Sequence, residues 1–484
     1  MRQPATKRPV RMTDQTEELP GTAAEAAALL AAGKVSSMDL VAGYRVRIER
    51  LNPTLNAVLA LAPDADEAAA ASDQRRRAGA LFGPLDGVPV LVKDNIEARG
   101  LPGTAGSRAL LDSPVTTDAP LVDRLRRAGL VVLGAANLSE WANFRSTRST
   151  SGWSAVGGQT RNPFDPDRNT SGSSSGSAAA VAAGFAPLAI GTETDGSIVS
   201  PAGMCGVVGF KPTIGSVPGA GIVPISPRQD VAGPMARTVA DIVALYRVLA
   251  GTDEPLPAVR LAGLRIASWR QAGLPAEVAE AQAEVERLLT AAGATVVPTE
   301  PSTAEEPSGP FDDAEFDALV AEFSVALPAY LAARPGNHPR TWDELLAFNR
   351  ADEVELSKFG DEIFELSAEA AAAGGTATER YSQARRSCDE GAARALAEVL
   401  ADCAFAIAPT NGPAPSIGYG VNEHDGVPTS SLCAVTGAPS ITLPTGAPAG
   451  LPIGISLLGR RGADLELLAQ AAAVADLLPQ PKYP

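Results

Sequence analysis

Along the chain, short apolar runs alternate with longer segments whose apolar residues recur every three to four positions. Thr22-Ala23-Ala24-Glu25 has the form in which a hydroxyl and a carboxylate each satisfy the other's backbone N–H, and it opens an alanine-rich helix to about Ala32. A second helix carries Leu40, Tyr44, Ile48 and Leu51 on one face and is expected to stop at Asn52-Pro53, because proline disfavours helical geometry in the residue before it. Val88–Val92 is a short continuous apolar run, the pattern of a strand buried on both faces. Leu121–Ala128 reads as helix and Leu130–Leu133 as another buried strand. Ala178–Ala183 reads as a helix start, and Leu188–Gly191 as the end of a further strand.

The alternation continues through a strand at Leu264–Ala267, a helix at Ala281–Ala292 and a strand at Thr295–Val297. A mostly helical, more polar region spans 311–402. Apolar strands then return at Phe405–Ala408, Ser440–Leu443 and Ile453–Leu458, before a last helix over about 463–477. This order predicts an α/β protein with a largely parallel or mixed sheet covered by helices. Length alone suggests about three domains. The returning strands argue instead for one large domain over 21–484, after a tail over 1–20, with the helical region as an insertion.

Composition narrows the class. With 45% hydrophobic and 20% charged residues the chain reads as an ordinary soluble globular protein. A net charge of −16 argues against nucleic-acid binding, which needs clustered Lys and Arg to neutralise phosphates. Arg75-Arg76-Arg77 and Arg124, Arg126 and Arg127 are the densest basic stretches, and solvated helix faces are expected there. The first twenty residues hold no apolar signal-peptide core, and no apolar run is expected to span a bilayer, so a cytoplasmic protein without membrane contact is the expectation. Cys205, Cys388, Cys403 and Cys433 are scattered, with no C-x-x-C pair to suggest a metal or redox site. Only His338 and His424 are present, each in a Pro- or Gly-bearing stretch expected to be a surface loop. A serine hydrolase built on this chain therefore needs a base other than histidine.

Three segments carry candidate chemistry. Asn169-Thr170-Ser171-Gly172-Ser173-Ser174-Ser175-Gly176-Ser177 feeds a helix N-terminus and offers hydroxyls and free N–H groups, which suit a cap, a flexible linker, an anion site or catalysis. Ile190-Gly191-Thr192-Glu193-Thr194-Asp195-Gly196-Ser197-Ile198 turns an apolar strand into small polar residues. That is either a plain tight turn or a turn aiming N–H groups at one point, with Ser197 exposed at its end. Lys93 ends the Val88–Val92 run. It is either a snorkelling surface residue or, if buried, an amine that loses its proton near neutral pH.

Taken in order, these three segments resemble the amidase-signature family. Ser173 follows Lys93 by 80 residues and Ser197 follows Ser173 by 24, spacings similar to those of the family. The resemblance covers most of the chain and implies an amidase-signature fold. It also implies an acyl-enzyme mechanism with Ser197 as nucleophile, Ser173 as proton relay after a cis Gly172–Ser173 bond, and Lys93 as base. The backbone N–H groups of Thr194, Asp195, Gly196 and Ser197 would form the oxyanion hole, and no metal or organic cofactor is implied.

Some residues depart from the common family pattern: Glu193 stands for Asp, Asp195 for a Gly, Ser171 and Ser175 for loop glycines, and Val199 for a frequent Arg. The Asp195 carboxylate would oppose an oxyanion if it pointed inward. With Asn137–Ser146, Ser151–Ser154 and Gly157–Pro163, these departures resemble the peptide amidase branch, whose members release ammonia from C-terminal peptide amides. Asn143 and Phe144 would then border the acyl pocket, unless they are core packing, and 311–402 would shape the entrance. The expected partner is a small-molecule or peptide amide; the sequence leaves oligomeric state open. Other readings are a broad amidase or aryl-acylamidase that also cleaves esters or carbamates, a component of a tRNA-dependent amidotransferase, and an inert binding protein.

Overall fold

The apolar run before Lys93 becomes a strand because neighbours cover both its edges as well as both its faces. A computed structural model describes residues 19–271, 273–300, 312–421, 429–479 and 481–484; most of the expected tail and His424 lie outside them. Its strands are β1 (Val58–Leu61), β2 (Pro89–Lys93), β3 (Val131–Ala136), β4 (Trp153–Ser154), β5 (Gly158–Gln159), β6 (Leu188–Glu193) and β7 (Val208–Lys211). They continue as β8 (Val231–Ala236), β9 (Arg265–Trp269), β10 (Thr295–Thr299), β11 (Phe405–Pro409), β12 (Ser440–Pro444) and β13 (Gly454–Leu458). Eleven of them form one mixed sheet in the order β1-β3-β2-β6-β8-β7-β12-β13-β11-β9-β10, and β4 pairs with β5.

β2 runs parallel to both β3 and β6, so Val92 lies opposite Ala135 on one side and Ile190 on the other. The late strands rejoin the early ones through antiparallel pairing of β12 with β7, as the returning apolar runs suggest. Val90, Leu91, Leu188, Ile190, Phe210, Ile441 and Leu457 are fully buried in one core. Each such side chain contributes about 1.5–3 kcal/mol by leaving water. All four cysteines are buried and unpaired.

Several boundaries differ from the sequence reading. The second helix runs over Ser37–Leu55, straight through Pro53. Asn52 makes this possible: its carbonyl takes the Asn56 N–H at 2.7 Å, and its side-chain oxygen takes those of Ala57 and Val58 at 2.8 and 2.9 Å. The bonds around the turn offset the one a proline cannot make. β7 and β8, absent from the sequence reading, fill the middle of the sheet. The basic stretches are not simply solvated faces. Arg75 forks onto the buried Asp86 carboxylate at 2.7 and 2.8 Å, and Arg126 pairs with Asp64 and Asp118 at 2.9 and 3.0 Å.

Residues 312–400 are helical, as expected, in the segments Asp312–Ala333, Trp342–Ala351, Glu362–Ala373 and Glu379–Leu400. Against expectation, Asp313–Ala333 is long and apolar enough to cross a membrane by length and composition. Here it packs as a core helix: Phe323 meets Trp342 at 5.2 Å and Phe144 at 5.2 Å between ring centres. Edge-to-face aromatic pairs add about 0.5–1.5 kcal/mol each beyond area burial.

A buried ion triad fastens this helical cover to the sheet. Arg145 lies 2.8 Å from Glu140 and 3.2 Å from Glu355, with all three side chains excluded from solvent and the Phe359 ring 4.5 Å from the guanidinium. Burial holds the Glu140 carboxyl well above the usual range. Arg145→Met should cost about 3–5 kcal/mol in denaturant-induced unfolding, because it strands two buried carboxylates. A midpoint unchanged from wild type would show that the triad does not hold the two parts together.

Candidate active site

In open α/β sheets, ligands bind beyond the carboxyl ends of the strands. β2 and β6 are parallel neighbours, so Lys93, the last residue of β2, and Thr192-Glu193, the last of β6, emerge at one edge. The Ser/Gly loop is pinned across that edge. Ser174 Oγ donates to Thr192 O at 3.0 Å and accepts its N–H at 3.2 Å, while Ser139 N–H donates to Ser173 O at 3.0 Å. The helix then begins at Ser175, three residues earlier than the sequence suggested, with Ser177 Oγ bonded to Ile190 O. The Gly172–Ser173 peptide is cis. A Cβ on Gly172 would sit 2.2 Å from Ser139 Oγ, so a larger residue there would displace that hydroxyl from the Gly152 N–H it accepts at 2.8 Å.

Lys93 is not a snorkelling residue. It is wholly buried, and its Nζ lies 2.8 Å from Ser173 Oγ, 2.8 Å from Thr192 Oγ1 and 3.1 Å from Thr192 O. Asn95 Nδ2 donates to the same Thr192 hydroxyl at 2.9 Å, which fixes that acceptor. Burial pushes the Lys93 pKa down to about 7, against the opposing pull of the Glu193 and Asp230 carboxylates. An amine with that pKa exchanges protons readily near neutrality.

The turn after β6 brings Ser197 to the same place. Ser174 N–H donates to Ser197 O at 3.1 Å, joining the two serine-bearing segments. Among the described residues no hydrogen bond links Ser197 Oγ to Ser173 Oγ; Ser197 is 9% exposed. Gly196 has φ +72°, a left-handed conformation that glycine adopts without strain. Glu193 Oε2 accepts the N–H groups of Ile198 and Val199 at 2.7 and 3.1 Å, capping the short helix Val199–Met204 beyond the turn. Asp195 turns its carboxylate to Ser431 Oγ at 2.6 Å, where Ser430, Ser431 and Lys211 counter the cost of its burial. Its hydroxyl partner thus lies on the Ser431–Thr436 helix.

Asn143 and Phe144 close the 139–144 loop, in which Trp141, Ala142 and Asn143 take successive positive φ values of 48°, 54° and 73°. Such backbone in non-glycine residues stores strain and clusters at functional sites. Asn143 donates to Ser151 Oγ at 3.1 Å and leaves its Oδ1 without a partner, while Phe144 packs edge-on against Phe323. His338 sits half-buried on the loop after Asp312–Ala333, bonded to backbone carbonyls. Thr192, Asn95 and Asp230 join this constellation although the sequence reading passed over them as functional residues. Thr192 could have been found, since it lies at the end of the strand from which the Ser197 turn emerges.

A profile of the Amidase family matches residues 39–468. The native peptide amidase of Stenotrophomonas maltophilia has a similar structure, with 40% identity, a TM-score of 0.85, and coverage of 96% of this chain and 98% of its own. A probable amidase of Arabidopsis thaliana is 36% identical over 91% of this chain and 86% of its own. A glutamyl-tRNA(Gln) amidotransferase component of Symbiobacterium thermophilum is 35% identical over 92% and 94%. On that footing, the chain belongs to the amidase family and is an amide-hydrolysing enzyme.

Proposed function

We propose that the enzyme removes the C-terminal carboxamide of peptides as ammonia, through an acyl-enzyme on Ser197. The observation that carries this reading is the buried Lys93 amine held 2.8 Å from Ser173 Oγ. Neutral Lys93 accepts the Ser173 proton, and Ser173 in turn takes the proton of Ser197 Oγ as that oxygen attacks the carboxamide carbon. The carbonyl oxygen becomes an oxyanion facing the N–H groups of Thr194, Asp195, Gly196 and Ser197. The relay returns the proton to the departing nitrogen, ammonia leaves, and water activated by the same relay releases the acid. Asn143 and Phe144 border the acyl pocket, and the helical region 311–402 shapes the way in. Similarity to a peptide amidase over nearly the whole chain supports the choice of substrate.

The test is ammonia release from blocked dipeptide amides, compared with anilides and simple aliphatic amides, by purified protein. Preference for the dipeptide amides is expected. Preference for anilides would keep the chemistry and move the substrate to aryl amides. Ammonia release only in the presence of tRNA and partner proteins would favour an amidotransferase component, the reading that the 35% identical relative supports.

A further inference from the structure

A second hydrogen-bond chain, separate from the Lys93 relay, lies against the turn that carries Ser197. Thr194 Oγ1 donates to Asp230 Oδ1 at 2.6 Å. The other carboxylate oxygen accepts the N–H groups of Ile225 and Ser226 at 2.8 and 3.0 Å, and Asp230 N–H donates to Ser226 O at 2.8 Å. The carboxylate therefore closes its own turn. It is also tied to the sheet, since the next residue, Val231, pairs with Glu193 in the β6–β8 ladder. Asp230 thus stands beside Thr194 by strand register.

The chain continues outward to the helical cover. Ser226 Oγ donates to Glu322. Arg385 pairs with Glu322 at 2.8 Å and donates to Gln229 Oε1 at 2.7 Å. Gln229 Nε2 donates to Glu315 at 2.6 Å and, at 3.4 Å, to Thr194 O. Gln229, Glu322 and Arg385 are all buried. Thr194 is consequently held twice, by its hydroxyl and by its carbonyl. A β-branched side chain has little freedom about χ1, so fixing Oγ1 orients the backbone to which it is attached.

An oxyanion hole works only when its N–H groups already point to where the charge develops. We propose that Asp230 is a positioning residue for that turn, acting through the Thr194 hydroxyl, with Glu322 and Arg385 holding it from the helical cover. This rests on the reading of Ser197 as nucleophile. It predicts that Thr194 matters through its side chain as well as its N–H.

The test compares wild type with Thr194→Val, Thr194→Ser and Asp230→Asn, with Ser197→Ala as control. The readouts are kcat and KM on a blocked dipeptide amide, and inhibition by the matching peptide aldehyde and by its alcohol. The aldehyde forms a tetrahedral adduct with a serine and needs the oxyanion N–H groups; the alcohol does not. Thr194→Val should lower kcat roughly 10- to 100-fold and weaken the aldehyde in parallel, with KM and the alcohol little changed. Thr194→Ser should restore both. Wild-type kcat and aldehyde affinity in Thr194→Val would overturn the proposal, as would losses confined to KM and the alcohol. Should Thr194→Val not fold, Asp230→Asn carries the same comparison. Hydrolysis surviving in Ser197→Ala would instead remove the nucleophile reading itself.

Discussion

Ser197→Ala is expected to lower ammonia release from peptide amides by at least about 10⁴-fold, leaving only what substrate binding and oxyanion contacts provide. The loss should fall on kcat, because an alanine removes the proposed attacking oxygen while leaving the backbone N–H groups in place. Folding should be untouched: Ser197 Oγ bonds to no described residue, and the 197 backbone keeps its link to Ser174. An intermediate acyl-enzyme, trapped with a slow ester and read by mass spectrometry, should be present in wild type and missing in the variant. Wild-type turnover by Ser197→Ala would mean that the nucleophile is elsewhere.

Lys93→Met is expected to cost about 10³- to 10⁴-fold in kcat, the scale of losing a relay's terminal base. Methionine fills a similar volume and removes a buried amine, so thermal unfolding should shift little or upward. The pH profile gives the sharper check. In the proposed mechanism catalysis needs the neutral amine; below a pKa of about 7 the ammonium has no lone pair to offer, so the rate should rise with pH through that region. Glu193 and, less strongly, Asp230 raise the Lys93 value, and Asp230, itself pushed up by burial to about 7, titrates in the same range, so Asp230→Asn is the control that isolates the amine's limb. The amine's limb should be missing in Lys93→Met and kept in Asp230→Asn. A flat wild-type rate from about pH 5 to 9, with chemistry limiting, would remove Lys93 as base.

Much of the candidate site's layout could be read from the sequence because its parts are local. A buried strand ends in Lys93, a Ser/Gly loop opens a helix, and a small-residue turn follows a strand; each is visible within ten residues. Parts that depend on distant partners were not. The Arg75 and Arg126 side chains read as solvated because Asp86, Asp64 and Asp118 meet them only in the fold. Thr194 and Asp230 are 36 residues apart, and Glu322 and Arg385 63 apart, with no spacing rule to connect them. β8 was hidden for another reason. Its Gly233-Pro234 reads as a breaker, yet a Cβ at 233 would lie 2.1 Å from Phe210 O, so glycine is what lets β7 and β8 approach. The direction of the Asp195 carboxylate is open in the sequence, and only the fold supplies Ser431, 236 residues away, as its hydroxyl partner.

The four sequestered sulfurs have a practical consequence. Burial pushes the Cys388 and Cys433 thiols up to about 12, Cys205 higher still, and raises Cys403 as well, so none presents a thiolate near neutral pH. A cysteine introduced at Val325, 48% exposed on the helical cover, would be the one thiol a maleimide meets in the folded enzyme. A single dye placed there, with no prior removal of native cysteines, would make the packing of the helical cover optically readable during unfolding and ligand binding.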